Sequence, residues 1–131
     1  MDYLKQKEEV INYIKGGEKK NDNLRLGIEF EHFIIDKETL RTITYYDEKG
    51  VAETLKDLEK NGWTGYYEGE FILGASKGKK TITLEPGSQF ELSLEAQYNI
   101  KDIEAEYFDF LNEMIPLLES KGQGLMATGY H

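Results

Sequence analysis

The segment Thr81-Ile-Thr-Leu-Glu-Pro-Gly-Ser-Gln-Phe-Glu-Leu-Ser93 restricts this chain more than any other. Pro86 sets φ for the first central position of a turn, and Gly87 tolerates the positive φ of the second, which is the type II pattern. Apolar and polar residues alternate on both sides of that turn. Ile82 and Leu84 project one way, Thr81, Thr83 and Glu85 the other. Beyond the turn, Phe90, Leu92 and Leu94 are apolar, while Gln89, Glu91 and Ser93 share the polar parity. Two strands joined by a tight turn satisfy this pattern, and pairing them gathers Glu85, Gln89 and Glu91 on one sheet face. Clustered carboxylates are costly unless a cation neutralises them.

Leu24 to Asp36 extends the pattern. Leu26, Ile28 and Phe30 fall on one face of a strand, and Gly27, Glu29 and Glu31 on the other. Gly27 leaves room beside the two carboxylates, as a closely approaching ligand requires. Glu29, Glu31, Glu85 and Glu91 are the candidate metal ligands. Gln89 is a candidate neutral ligand or substrate contact. Arg25 shares parity with Glu29 and Glu31 and is a candidate substrate or phosphate contact, or a local counter-charge. Oxygen-only ligands suit Mg²⁺ or Mn²⁺ better than zinc.

Composition narrows the function classes. Asp and Glu number 25 against 16 Lys and Arg, a net charge of -9, which disfavours nucleic acids and anionic membranes as partners. Cysteine is absent, so disulfides, thiolate zinc and thiol nucleophiles are excluded. No apolar run reaches membrane-spanning length. The N-terminus, Met1-Asp-Tyr-Leu-Lys-Gln-Lys-Glu-Glu, is too charged for a secretory signal, and a cytoplasmic location is the expectation. The 131 residues suffice for one modest domain, 1–131, with no internal repeat or linker.

The fold class expected is α+β: an antiparallel sheet with helices on one face. Asp2 caps a first helix to about Lys15, with Leu4, Ile11 and Ile14 near one stripe and Gly16-Gly17 at its end. Lys19 to Asn23 is a polar loop. Thr39 to Tyr46 is rich in β-branched and aromatic residues and reads as a short strand. Val51, Leu55 and Leu58 recur at helical spacing. Trp63–Tyr67 and Glu70–Leu73 are short strands about a turn at Glu68-Gly69. Asn99, with Asp102 three residues on, opens a longer helix that Pro116 should kink or split. Gly124 to Tyr130 is a last strand.

Each signal has a plainer reading. Strand glutamates usually mark a solvated sheet face. His32, the only histidine before the terminus, has the apolar parity of its strand and belongs to the core or an edge. Gly74-Ala-Ser-Lys-Gly-Lys79 resembles a phosphate loop but has three residues between its glycines and Lys80 where Ser or Thr belongs, so it is read as a solvated hairpin turn. Two other classes stay open: a stand-alone acidic cation-binding module, and a structural domain whose glutamates are only surface.

Gly27-Ile-Glu29-Phe-Glu31, Gly62-Trp63 and Gly78-Lys-Lys-Thr-Ile-Thr-Leu-Glu-Pro-Gly-Ser-Gln-Phe-Glu-Leu-Ser93 together resemble the opening part of plant-type glutamate–cysteine ligases, from about Leu24 to His131. Ser88 departs from the pattern, where the family usually has a second glycine, and family members continue well beyond residue 131. The resemblance implies a glutamine-synthetase-like catalytic sheet whose polar face holds the metal ions. It implies ATP-dependent joining of glutamate to cysteine, with Mg²⁺ or Mn²⁺ and ATP as cofactor and co-substrate. A related ligase using another amine would present the same face. The resemblance further implies a chain that is inactive alone and able to self-associate.

Overall fold

The computed structural model describes residues 2–19, 21 and 24–131. Its elements follow the order α1 (Tyr3–Gly16), β1 (Glu29–Asp36), α2 (Val51–Lys60), β2 (Thr64–Glu68), β3 (Phe71–Lys77), β4 (Lys80–Glu85), β5 (Gln89–Ser93), α3 (Ile100–Glu119) and β6 (Gln123–Met126). The strands form one six-stranded sheet, ordered β2-β3-β4-β5-β1-β6, and every neighbouring pair is antiparallel. The α+β class expected from the sequence is therefore observed. Most of the Lys19–Asn23 loop lies outside the described residues.

Helices α2 and α3 cover one face. Val51, Leu55 and Leu58 of α2 and Ile103, Phe110, Met114 and Leu118 of α3 are buried against Ile34, Ile72, Ile82, Phe90 and Leu92 of the sheet. These positions keep the helical three-to-four and strand two-residue periods, so one apolar stripe meets another. At one edge of this layer Trp63 Nε1 donates to Glu113 at 3.0 Å, and Lys77 Nζ donates to the same carboxylate at 3.0 Å. Asn99 caps α3 as its spacing implies, its side chain accepting from the Asp102 N–H at 3.1 Å. Asp2 caps α1 in the same way. No residue of α1 is buried, so its Leu4–Ile11–Ile14 stripe packs into no core among the described residues.

Several expected boundaries move, each for a local reason. Thr39–Tyr46 is a turn and loop that pairs with the sheet at the Thr42–Ile35 bridge, and its Ile43 packs against the core. Asp36 Oδ1 accepts from the Glu38 and Thr39 N–H groups, and Asp47 Oδ2 from that of Thr44, while Leu40 takes φ 59°. Such side-chain bonds compete with the ladder for the backbone. The hairpin turn expected over Gly74–Lys79 is shorter: β3 runs to Lys77, the turn itself is Gly78-Lys79 with Gly78 at φ 62°, and a Cβ at Gly74 would lie 2.4 Å from the Ile82 carbonyl oxygen of β4. A register shift opposite Tyr66 and Tyr67 buries Ile72 and exposes Leu73. Pro116 sits in the last turn of α3, which continues through it to Glu119; there the missing N–H costs one ladder bond, and the Ser120 N–H closes the end on the Pro116 carbonyl. The final strand is Gln123–Met126 only. The long first strand begins at Glu29, preceded by a Leu26–Gln97 bridge. Three steps from Leu26 to Glu29 face four from Ser93 to Gln97, so the partner side bulges.

Candidate functional site

The face away from α2 and α3 carries the polar half of each alternating strand. Register aligns it in rows, because directly opposed residues project to the same side. One row runs Tyr66, Gly74, Thr83, Glu91, Glu31 across β2, β3, β4, β5 and β1. A second runs Thr64, Ser76, Thr81, Ser93, Glu29, and Glu85 lies opposite Gln89. All four glutamates and Gln89 thus share one face.

Their bonding is more specific than the alternation implied. Gln89, only 8% exposed, donates from Nε2 to Glu31 Oε2 at 2.8 Å. Thr83 Oγ1 and Ser93 Oγ donate to Glu91 Oε1 at 3.1 and 3.3 Å. Each carboxylate is held by neutral donors on one oxygen, and Glu31 Oε1 and Glu91 Oε2 have no partner among the described residues. Thr83 and Ser93 were legible as polar-parity residues, but their role as donors needed the register. Glu29, Glu31 and Glu85 are exposed, and Glu91 is half-buried. A recess of about 330 Å³ opens beside Glu29, bounded by Gly27, Ile28, Ser93 and Leu94. A Cβ at Gly27 would meet nothing within 4 Å, so this glycine borders open space. Arg25 is occupied elsewhere: its Nη2 donates to the Tyr98 hydroxyl at 3.0 Å and its guanidinium lies 4.5 Å over the Tyr98 ring.

The turn that separates β4 from β5 is built as expected at Gly87, with φ 79° and ψ 15°. Ser88 is the surprise. It adopts φ 63°, the left-handed region that favours glycine, and its Oγ accepts from the Tyr45 N–H at 3.1 Å. The hydroxyl ties the 39–50 loop to the turn that presents Gln89. Ser88→Ala keeps the backbone cost and orphans a partly buried donor, so we expect a loss of about 1–2 kcal/mol. Ser88→Gly relieves the strain as it removes the bond and should fall within about 0.5 kcal/mol of the parent. Urea melts of the two variants check this order.

His32 lies in the helix-covered core, 1% exposed, with Nε2 hydrogen-bonded to the Tyr107 hydroxyl at 2.8 Å. Desolvation lowers its pKa from 6.5, with the backbone of Phe90 and Phe30 pulling the other way. It faces away from the glutamates.

Comparison with known proteins places these features in context. The profile of glutamate–cysteine ligase family 2 matches residues 25–131. The chloroplastic glutamate–cysteine ligase of Nicotiana tabacum is 34% identical over 125 residues, covering 95% of this chain and 23% of the relative. That of Arabidopsis thaliana is 35% identical over the same length, with coverage of 95% and 23%. Chloroplastic glutamate–cysteine ligase A of Oryza sativa subsp. japonica is 32% identical over 124 residues, with coverage of 95% and 25%. The chain therefore spans about a quarter of the length of the curated relatives it matches. These names overturn the cytoplasmic location expected from the charged N-terminus, because the relatives are chloroplastic enzymes. Charge near residue 1 argued against a secretory signal and carried no information about an organelle.

Proposed function

Because this chain belongs to glutamate–cysteine ligase family 2, we propose that its carboxylate face forms part of a site where ATP activates the γ-carboxylate of glutamate for joining to cysteine, the first step of glutathione synthesis. One observation carries the reading: Glu31 and Glu91 stand opposite one another on adjacent strands, each oriented by neutral donors with an oxygen to spare. A solvated sheet face has no need of such orientation.

The donor set fits a divalent metal. It is all oxygen, which suits Mg²⁺ or Mn²⁺. Among the described residues no three acidic or histidine side chains come together closely enough to hold an ion alone. Magnesium is commonly held by one or two carboxylates, with water and nucleotide phosphate completing its shell. Glu29, Glu31, Glu85 and Glu91 are the residues that would hold the ions, and Gln89 supplies a neutral ligand or substrate contact. A bound ion would neutralise charge as two anions meet.

In the proposed reaction the glutamate γ-carboxylate attacks the terminal phosphorus of ATP, the bond to ADP breaks, and an acyl phosphate forms. The cysteine amine then displaces phosphate. The residues here serve by position. Gln89 fixes Glu31, and Thr83 and Ser93 fix Glu91, so their remaining lone pairs are aimed before substrate arrives. Arg25, four residues before β1 and braced on Tyr98, is a candidate substrate contact. Residues 1–131 form one folding unit of a larger catalytic domain with a glutamine-synthetase-like sheet, and the chain lacks ligase activity alone, since near-attack geometry needs every wall of the cavity.

The test is metal-dependent stability. At tenfold excess over Kd, Mg²⁺ or Mn²⁺ should add about 1.4 kcal/mol, roughly 5 °C in melting temperature. Glu31→Gln combined with Glu91→Gln keeps the donors' partners and removes the charge; it should abolish the gain and leave the metal-free melting temperature equal or higher. A parent melting temperature unmoved by either ion, with and without ADP, defeats the metal-face reading.

A further inference from the structure

Between β1, β6 and the covering helix α3 lies a cavity of about 350 Å³, walled in part by His32, Tyr107, Leu111, Ile115, Gln123 and Leu125. It is on the opposite side of the sheet from the carboxylates. His32 follows Glu31 in β1, and successive strand residues project to opposite faces. The volume is that of a small-molecule site.

Two wall residues are nearly sealed from solvent, His32 at 1% and Gln123 at 3% exposed. Each carries a polar atom without a protein partner among the described residues, Nδ1 of His32 and Oε1 of Gln123. Buried polar atoms are almost always bonded, and each exception calls for an explanation. At Gln123 the chemistry of the absent partner is defined. Its Nε2 donates to the Lys49 carbonyl at 2.9 Å, which orients the amide and leaves Oε1 as an acceptor. Only an N–H or O–H group satisfies it. The Nε2 of His32 is already engaged with the Tyr107 hydroxyl. Nδ1 is a second hydrogen-bonding group in this wall. The charged wall residues Lys37 and Glu119 are bonded to each other at 2.9 Å. With Leu111, Ile115 and Leu125 supplying apolar surface, nothing in this wall offers an unpaired charge to an ionic ligand.

We propose that this cavity binds a small uncharged molecule with an apolar body and one hydroxyl or amide donor. The donor sits on Gln123 Oε1, and the body packs against Leu111, Ile115 and Leu125.

Phenol is the probe and benzene its donor-free control, read by ligand-observed NMR titration and by the His32 imidazole shifts. Phenol should bind saturably with Kd on the order of 1 mM, at least tenfold tighter than benzene. Gln123→Leu should erase that tenfold preference and leave benzene binding in place. Ile115→Trp, at a position 44% exposed and so tolerant of bulk, should weaken both by narrowing the cavity. It gives an independent reading if the Gln123 variant folds poorly. Equal affinity for phenol and benzene, or a preference that survives Gln123→Leu, overturns the proposal. No saturable binding by either probe also overturns it and leaves water as the partner of both atoms.

Discussion

Gly50→Ala should cost about 3 kcal/mol and lower the melting temperature by roughly 10 °C, a large share of the stability of a domain this size. Gly50 precedes α2 with φ -67° and ψ -177°, a conformation any residue adopts, so the cost is steric and not conformational. A Cβ there would lie 2.6 Å from the Asp47 carbonyl oxygen and 2.8 Å from those of Thr44 and Tyr45. The same carbonyls satisfy the start of the helix. The N–H groups of Gly50, Val51 and Ala52 donate to Asp47, Thr44 and Tyr45 at 2.8, 3.1 and 3.5 Å. No side chain caps α2, so this carbonyl cradle is its cap. A methyl group must push all three oxygens away and orphan the donors. Gly16→Ala, where a Cβ meets nothing within 4 Å, is the control and should be near neutral. Thermal and urea melts of both variants decide the matter, and a Gly50→Ala protein as stable as its parent removes the cradle argument.

Asp57→Ala should be nearly as damaging, at about 3 kcal/mol, because it strands a buried cation. The Lys121 side chain is 7% exposed, and its Nζ lies 2.7 Å from Asp57 Oδ2. Its other partner is the Thr54 hydroxyl, at 3.1 Å. This cluster joins α2 to the turn between α3 and β6. Lys60, 75% exposed, also contacts Asp57 but can follow solvent when the carboxylate is gone. Adding Lys121→Met to the Asp57→Ala protein should recover most of the loss, since no charge then remains buried. The pair also sets a pH dependence. Burial pulls the Asp57 pKa up, but the bonds and charges of Lys121 and Lys60 outweigh it, so the net shift is below 3.8. A depressed carboxyl pKa contributes stability that is present above 3.8 and lost as pH falls through the folded-state value. The parent should therefore lose stability faster than Asp57→Ala below about pH 4. Parallel acid titrations that show no such convergence refute the assignment.

Both predictions rest on residues whose importance the sequence did not announce. No local pattern singles out Gly50 or Asp57. Their weight comes from atoms distant in sequence: a looped-back carbonyl set in one case, a lysine 64 positions later in the other. The same holds for Ser88, whose hydroxyl reaches back to Tyr45, and for Gln123, whose amide is set by Lys49.

What the sequence determined by itself was whatever depends on local period and local turn chemistry. Two-residue alternation placed Glu29, Glu31, Glu85, Gln89 and Glu91 on polar faces. Pro86-Gly87 set the turn that joins two of those strands, and Asn99 with Asp102 marked the start of α3. These signals are complete within a few residues, because side-chain direction and backbone φ are local properties. Tertiary structure alone decided where the ladder ends, which polar atoms meet, and which do not. Thr39–Tyr46 has strand-forming residues but lost its ladder to Asp36 and Asp47. Gly74 looked like a turn residue and proved to be the point of close approach between two strands. The pairing of Glu31 with Gln89, and of Glu91 with Thr83 and Ser93, follows from a register set jointly by three strands. The unpartnered atoms of His32 and Gln123 exist only because α3 closes over β1 and β6. Register, close approach and burial are relations between segments far apart in the chain, and only packing them against one another gives them a value.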